Sequence, residues 1–255
     1  MKFKVIVLIC CIVNVFTVLG QNEMTKEHRE TVARFIAFVK NSKKDSVAAM
    51  VSFPLKKEYP IPAINNRQEF LKRYDEVFDE KLIRMISNSD PAKDWSAVGY
   101  RGMMLHRGDV WLDYDGTLLG VNYQSAFEVK EKNRLIVLDK NRLYKPLRDF
   151  KQPVHILQTD RHIIRIDQMA DGTYRYASWK KGQPMGNKPE IVVSKGEFIP
   201  EGSGGNHSYV FKNGTYKYEC EIIIVGEDDA PPAYMNVYKA GKKIQSLKAD
   251  VITRI

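Results

Sequence analysis

The sequence predicts an α+β protein in two parts, a helix-and-sheet segment followed by a small all-β sandwich or barrel. Two observations carry this. Apolar residues recur at helical spacing only before about residue 150. Beyond that point short alternating runs are separated by Asp-Gly, Asn-Gly and Ala-Gly turns. Composition bounds the reading from outside: 255 residues, 44% hydrophobic, a net charge of +9 and three cysteines. Such a chain is too apolar to be disordered and too poor in cysteine for a disulfide scaffold.

The first twenty residues read as a secretory signal peptide. Lys2 and Lys4 precede an apolar run from Val5 to Leu19, and Val18 and Gly20 flank a cleavage site before Gln21. The run is short of the roughly 20 apolar residues a bilayer span needs. Removing twenty residues from 255 leaves 235, and two lysines leave with them, so the charge falls from +9 to +7. Cys10 and Cys11 also leave, and Cys220 alone cannot form an internal disulfide. The expected protein is therefore exported, to the periplasm or beyond, with no membrane span after cleavage. It rests on hydrophobic cores, which 235 residues are enough to build.

Each element has its own signal. Val32, Phe35, Ile36 and Val39 lie on one helical face, and Asp45 to Met50 adds a short turn. Val51 to Leu55 reads as an edge strand, because Pro54 cannot donate to a ladder. Asn66 caps a helix with Glu69 three residues on, and its apolar face runs through Phe70, Tyr74, Val77 and Phe78. Leu82, Ile83 and Ile86 continue that helix until Asp90-Pro91 ends it. Three strands follow, Val98 to Leu105, Asp109 to Tyr114 and Thr117 to Tyr123, with turns at Arg107-Gly108 and Asp115-Gly116. A last helix spans roughly Lys132 to Tyr144. The boundaries are 1–20 for the signal peptide, 21–147 for the α+β part and 148–255 for the β-part.

The β-part is read from alternation. Ile164 and Ile166 alternate with Arg165 and Asp167, and Ile191 to Val193 is a short strand. Asn213-Gly214 is a hairpin turn, after which Tyr216, Tyr218, Cys220, Ile222 and Ile224 share one face. Ala233 to Lys239 and Lys242 to Leu247 close a meander.

The first part resembles the nuclear-transport-factor-2-like superfamily, a cone of helices wrapped by a curved antiparallel sheet. The residues that carry the resemblance are Val51-Ser52-Phe53-Pro54-Leu55, Glu69-Phe70-Leu71, Arg101-Gly102-Met103-Met104 and Val110-Trp111-Leu112. It covers about half of the mature chain, and the order of elements is that of secreted bacterial members. The strings Tyr174 to Trp179 and Gly202 to Asn206 resemble β-domains attached to such modules in Gram-negative envelopes, and Gln21 resembles exported proteins of the Bacteroides group. The superfamily holds isomerases, dehydratases, transport adaptors and binding modules, so the resemblance implies no single activity.

The resemblance implies, for its isomerases, a carboxylate and a phenol held in an apolar cavity, where burial raises the carboxylate towards neutrality. Tyr74, His106, Asp113 and Tyr114 are the candidates this implies. Against them, Asp113 and Asp115 bracket a turn where Asp commonly bonds locally, and Tyr74 is in phase with core positions. The five histidines form no zinc-ligand spacing, and no cofactor or metal is expected. Cys220 lies on an apolar strand face and reads as core. Tyr174, Tyr176 and Trp179 are candidates for ligand recognition beside Arg175, Lys180 and Lys181, although Trp179 falls on the opposite strand face from the two tyrosines. Lysine doublets are dispersed rather than clustered, so nucleic acid is not an expected partner. The expectation is an exported, non-enzymatic envelope protein with an apolar pocket in its first domain. Its partner would be a small apolar or carbohydrate ligand, or an envelope protein. The alternatives are an isomerase or hydratase in the cone cavity, and an inhibitor or partner-binding module acting through the β-domain.

Overall fold

The computed structural model describes residues 23–252 except 203 and 228. The signal-peptide expectation falls on residues outside these. Among the described residues no helix is long and apolar enough to cross a membrane, which bears on helices only. The described residues form an α+β protein, with five helices, a four-stranded antiparallel sheet and a closed eight-stranded β-barrel.

Helices α1 (Lys26–Lys40) and α2 (Lys44–Met50) begin the chain. Val32, Phe35, Ile36 and Val39 are the buried stripe of α1, as its spacing predicts. Phe53 to Asn65 then runs as an extended loop. The expected strand at Val51 to Leu55 is reduced to two isolated bridges, Val51 with Leu118 and Leu55 with Ile64, because no continuous partner lies alongside. The expected helix from Asn66 to Ile86 is two helices, α3 (Arg67–Val77) and α4 (Glu80–Ser87). Asp79 breaks it: its backbone is extended and its carboxylate accepts from the Leu82 amide at 2.9 Å, starting a new helix. The Tyr123 hydroxyl donates to the same carboxylate and fixes the break.

The sheet is β1 (Trp95–Ala97), β2 (Met103–Leu105), β3 (Val110–Leu112) and β4 (Leu118–Val121), in sequence order. The strand expected over Val98 to Leu105 is shorter, since a tight turn at Gly99–Arg101 separates β1 from β2. Gly102 makes that turn possible. Its φ is +89°, and a Cβ there would lie 2.3 Å from the Leu112 carbonyl oxygen. One face of the sheet packs on the helices around Phe35, Phe70, Tyr74, Phe78, Leu82 and Trp95, all buried. Side chains of this size contribute about 1.5–3 kcal/mol each on full burial.

Helix α5 (Ala126–Arg142) starts six residues before the sequence suggests. Ser125 and Glu128 form a capping box that sets its start. The barrel is β5 (Gln152–Gln158), β6 (His162–Gln168), β7 (Tyr174–Lys180), β8 (Ile191–Glu201), β9 (Asn206–Asn213), β10 (Tyr216–Ile222), β11 (Ala233–Lys239) and β12 (Lys242–Ile252). It resolves the choice between sandwich and barrel: consecutive strands pair, and β12 returns to β5 through Asp250–Gln158, Val251–Leu157 and Ile252–Ile156. Strand β8 is longer than the Ile191 to Val193 run suggests, because its second half pairs with β9 rather than β7. Leu157, Ile164, Ile166, Tyr176, Phe211, Cys220 and Met235 fill the inside. Gly196 admits the Phe211 ring, which would lie 2.2 Å from a Cβ at that position.

Candidate functional site

The Phe53 to Asn65 loop faces one end of the barrel across a cleft of about 530 Å³. Pro54, Lys56, Glu58, Tyr59 and Asn65 line the loop side. The barrel side is mostly aliphatic: Val154 of β5, Ile222 at the end of β10 with Ile223 and Ile224 after it, Pro232, and Val251 and Ile252 of β12, with Gln152 and His155 among them. Ile224 is 57% exposed. An apolar lining carrying a few polar groups is the ordinary character of a small-ligand site.

His155 enters the barrel end in alternation with Leu157 and pairs with Ile166, while a bulge just before it leaves Val154 as the extra residue of β5. Its ring lies 5.6 Å from Tyr209 and 6.0 Å from His207. Phe198 and Tyr174 extend this aromatic group through Tyr209. Burial, helped by His207, pushes the His155 imidazole down to about 4, so it is neutral near pH 7. A neutral imidazole offers one donor and one acceptor.

The loop is anchored to α5 by charge. The buried Lys57 Nζ lies 2.8 Å from Glu128 Oε1 and donates to the Val121 carbonyl at 3.0 Å. Burial lowers the Lys57 ammonium and raises the Glu128 carboxyl, each opposed by its partner. Lys132 Nζ reaches Glu58 at 2.5 Å, and Gln124 donates to the same carboxylate. The farther end of α5 is tied to the barrel. Arg165 forks onto Asp139 at 2.9 and 2.5 Å and onto Asp167 at 2.7 Å, all buried. Arg175 adds a bond to Asp167 at 2.7 Å, and Phe150 lies under the Arg165 guanidinium at 4.8 Å. The Tyr59 hydroxyl is buried and unbonded, in the field of Arg165, Asp139 and Asp167.

The structure separates the four acid–base candidates. Tyr74 is 1% exposed, stacked on Phe78 at 4.8 Å. Its hydroxyl has no partner, and burial raises it to about 12. His106 follows β2 and lies 3.4 Å from Asp109. Asp113 accepts from the Tyr114 amide at 2.7 Å, the local bonding its turn position implies. The Tyr114 hydroxyl donates to the Gly99 carbonyl at 2.6 Å, and its ring stacks on His28. Apart from that local bond from the Tyr114 amide to Asp113, no hydrogen bond or ring contact joins these four. Tyr174 and Tyr176 point into the barrel, Tyr176 against Phe211 and Tyr218. Trp179 lies on the outer side, wholly buried with Ile136 of α5, and its indole donates to the Asn187 carbonyl at 2.8 Å. These contacts leave Trp179 no face for a ligand. Cys220 is wholly buried, and burial pushes its thiol up.

The sequence reading missed His155 and the loop–barrel cleft. The His155 signal was weak, because its phase with Leu157 marks it as inward but not as lying at the end of the barrel that meets the loop. The Glu128 position was readable from the Ser-x-x-Glu capping pattern. Comparison with protein families, curated proteins and solved structures gives no match.

Proposed function

We propose that this is an exported, non-enzymatic envelope protein that holds a small apolar ligand in the loop–barrel cleft. One observation carries the reading: a cleft of about 530 Å³ whose barrel side is aliphatic, with His155, Gln152 and Lys56 placed to orient a polar end. Ile224, Pro232 and Val251 supply the contact surface, and the neutral His155 admits an apolar molecule without a charge to desolvate. The helix-and-sheet part is proposed to be a nuclear-transport-factor-2-like module, on the order of its elements. Its interior is packed with Phe70, Tyr74 and Phe78, which moves the expected pocket from inside that part to its border with the barrel.

The isomerase alternative draws less support, because the phenol of Tyr74 has no partner carboxylate and Asp113 is committed to a turn. The test uses anilinonaphthalene sulfonate, whose emission rises on apolar contact. The wild-type chain is expected to enhance it saturably, and Val154→Trp, which fills the cleft, is expected to abolish the effect while the melting temperature holds. Equal enhancement by both proteins would remove the cleft from the reading. A turnover that depends on Asp113 or Tyr74 would remove the non-enzymatic part.

A further inference from the structure

Because the barrel strands run antiparallel in sequence order, alternate turns open at the same end. The end away from the cleft collects the turns after β5, β7, β9 and β11. The last two of these carry Lys212, Lys217, Lys239, Lys242 and Lys243. The other two add Arg161, Lys181 and Lys188, while Lys180 lies 3.5 Å from Glu190. Asp160 and Glu190 are the acidic residues of these turns, and the nearby Glu219 is already bonded to Lys217 and Tyr238. The cleft end is opposite in sign. Its turns carry Asp171, Glu227 and Asp229, with no Lys or Arg among the described residues between neighbouring strands. Lysines that look dispersed along the chain are thus gathered by the topology.

The register sharpens this. Lys212 stands directly across from Lys217, Lys217 from Tyr238, and Tyr238 from Lys243, a single row over four strands. Lys239 is also paired with Lys242. Like charges directly opposite are destabilising. Lys217 lies 3.8 Å and Lys243 5.4 Å from the Tyr238 ring, so both cations gather around one aromatic ring. Ile244, the extra residue of the β11–β12 bulge, is 55% exposed beside them. Edge protection explains part of the pattern, since Lys242 to Ala249 of β12 pair only with β11. It does not explain Lys217, which is paired on both sides, with Lys212 of β9 and Tyr238 of β11.

We infer that this end of the barrel docks on an anionic phospholipid surface. Lysines around tyrosine rings and one exposed isoleucine match the bilayer interface, where headgroup charge lies above acyl chain. A polyanion without an apolar layer would gain nothing from Ile244. The cleft faces the other way, so docking would leave it open to solvent.

The test is cosedimentation of the chain from Gln21 onward, which keeps every described residue, with vesicles of phosphatidylglycerol in phosphatidylcholine and with phosphatidylcholine alone. Binding is expected only to the anionic vesicles and is expected to fall with salt. Each surface lysine is worth about a fivefold change in partition, so the triple variant Lys212→Gln, Lys239→Gln, Lys242→Gln is expected to bind about a hundredfold more weakly. A control triple at Lys40, Lys72 and Lys130, exposed but remote in the fold, is expected to bind as wild type. With Ile244→Trp, added anionic vesicles are expected to shift indole emission to the blue. Equal binding to neutral vesicles, equal loss in both triples, an unmoved emission, or binding to an oligonucleotide but not to vesicles would overturn the inference.

Discussion

His155 shows how one residue's surroundings set a macroscopic property. Its imidazole is pushed down to about 4 in the fold, against about 6.5 in an unfolded chain. The folded state therefore binds fewer protons between these values, and stability present above pH 6.5 is lost as pH falls towards 4. The effect is at most roughly 3 kcal/mol, about 1.4 kcal/mol for each pKa unit. Wild type and His155→Phe, melted across that range, should diverge: the wild-type melting temperature falls more steeply, because phenylalanine keeps the aromatic contacts with Tyr209 without the proton. Parallel curves would show that His155 titrates normally. Other residues were legible at this scale. The inward phase of Cys220 follows from alternation with Tyr218 and Ile222, and the opposed faces of Tyr176 and Trp179 follow from their odd spacing. His155 was not, because its neighbours His207 and Tyr209 lie on another strand, far off in sequence.

At the scale of elements, α5 explains both what sequence patterns convey and where they stop. Its Ser125–Glu128 cap was written in the chain, yet its apolar residues point the unusual way. Phe127, Val129 and Val137 are exposed, while Glu128 and Asp139 are buried. A helix placed by burying its hydrophobic stripe would have been turned over. The ion pairs settle its rotation, and their partners Lys57 and Arg165 lie too far away in sequence for periodicity to register. The same reason explains the split at Asp79, since Tyr123 lies on a different element. Hairpins whose turn residues lie next to their strands were read well, as at Asn213-Gly214. Asp139→Ala leaves the wholly buried Arg165 with Asp167 alone, itself shared with Arg175. Removing one partner of a buried pair costs about 3–5 kcal/mol, and that is the loss expected in denaturant unfolding. A loss below about 1 kcal/mol would match an exposed pair instead.

For the whole molecule, these ion pairs decide whether the helix-and-sheet part and the barrel unfold together. Each has its own apolar core, one around Phe35 and Phe70 and one around Tyr176 and Phe211, so either could melt alone. The links between them run through α5: Lys57 to Glu128 holds its start to the first part, and Arg165 to Asp139 near its end and the Ile136 and Trp179 contact tie it to the barrel. Desolvated pairs of this kind contribute little net stability when intact but are strongly penalised when half-broken. They therefore make separation of the parts expensive without making either part more stable. With the ion pairs intact the expected outcome is a single transition, with helical circular dichroism and the fluorescence of Trp179 changing at the same temperature. Replacing Trp95 and Trp111 by phenylalanine isolates that probe. In a variant combining Lys57→Met and Asp139→Ala, each remaining partner can regain water only if α5 leaves its seat. The two signals are then expected to separate, the Trp179 environment changing before the helices of the first core melt. Coincident transitions in that variant would place the coupling in the apolar contacts rather than in the charges.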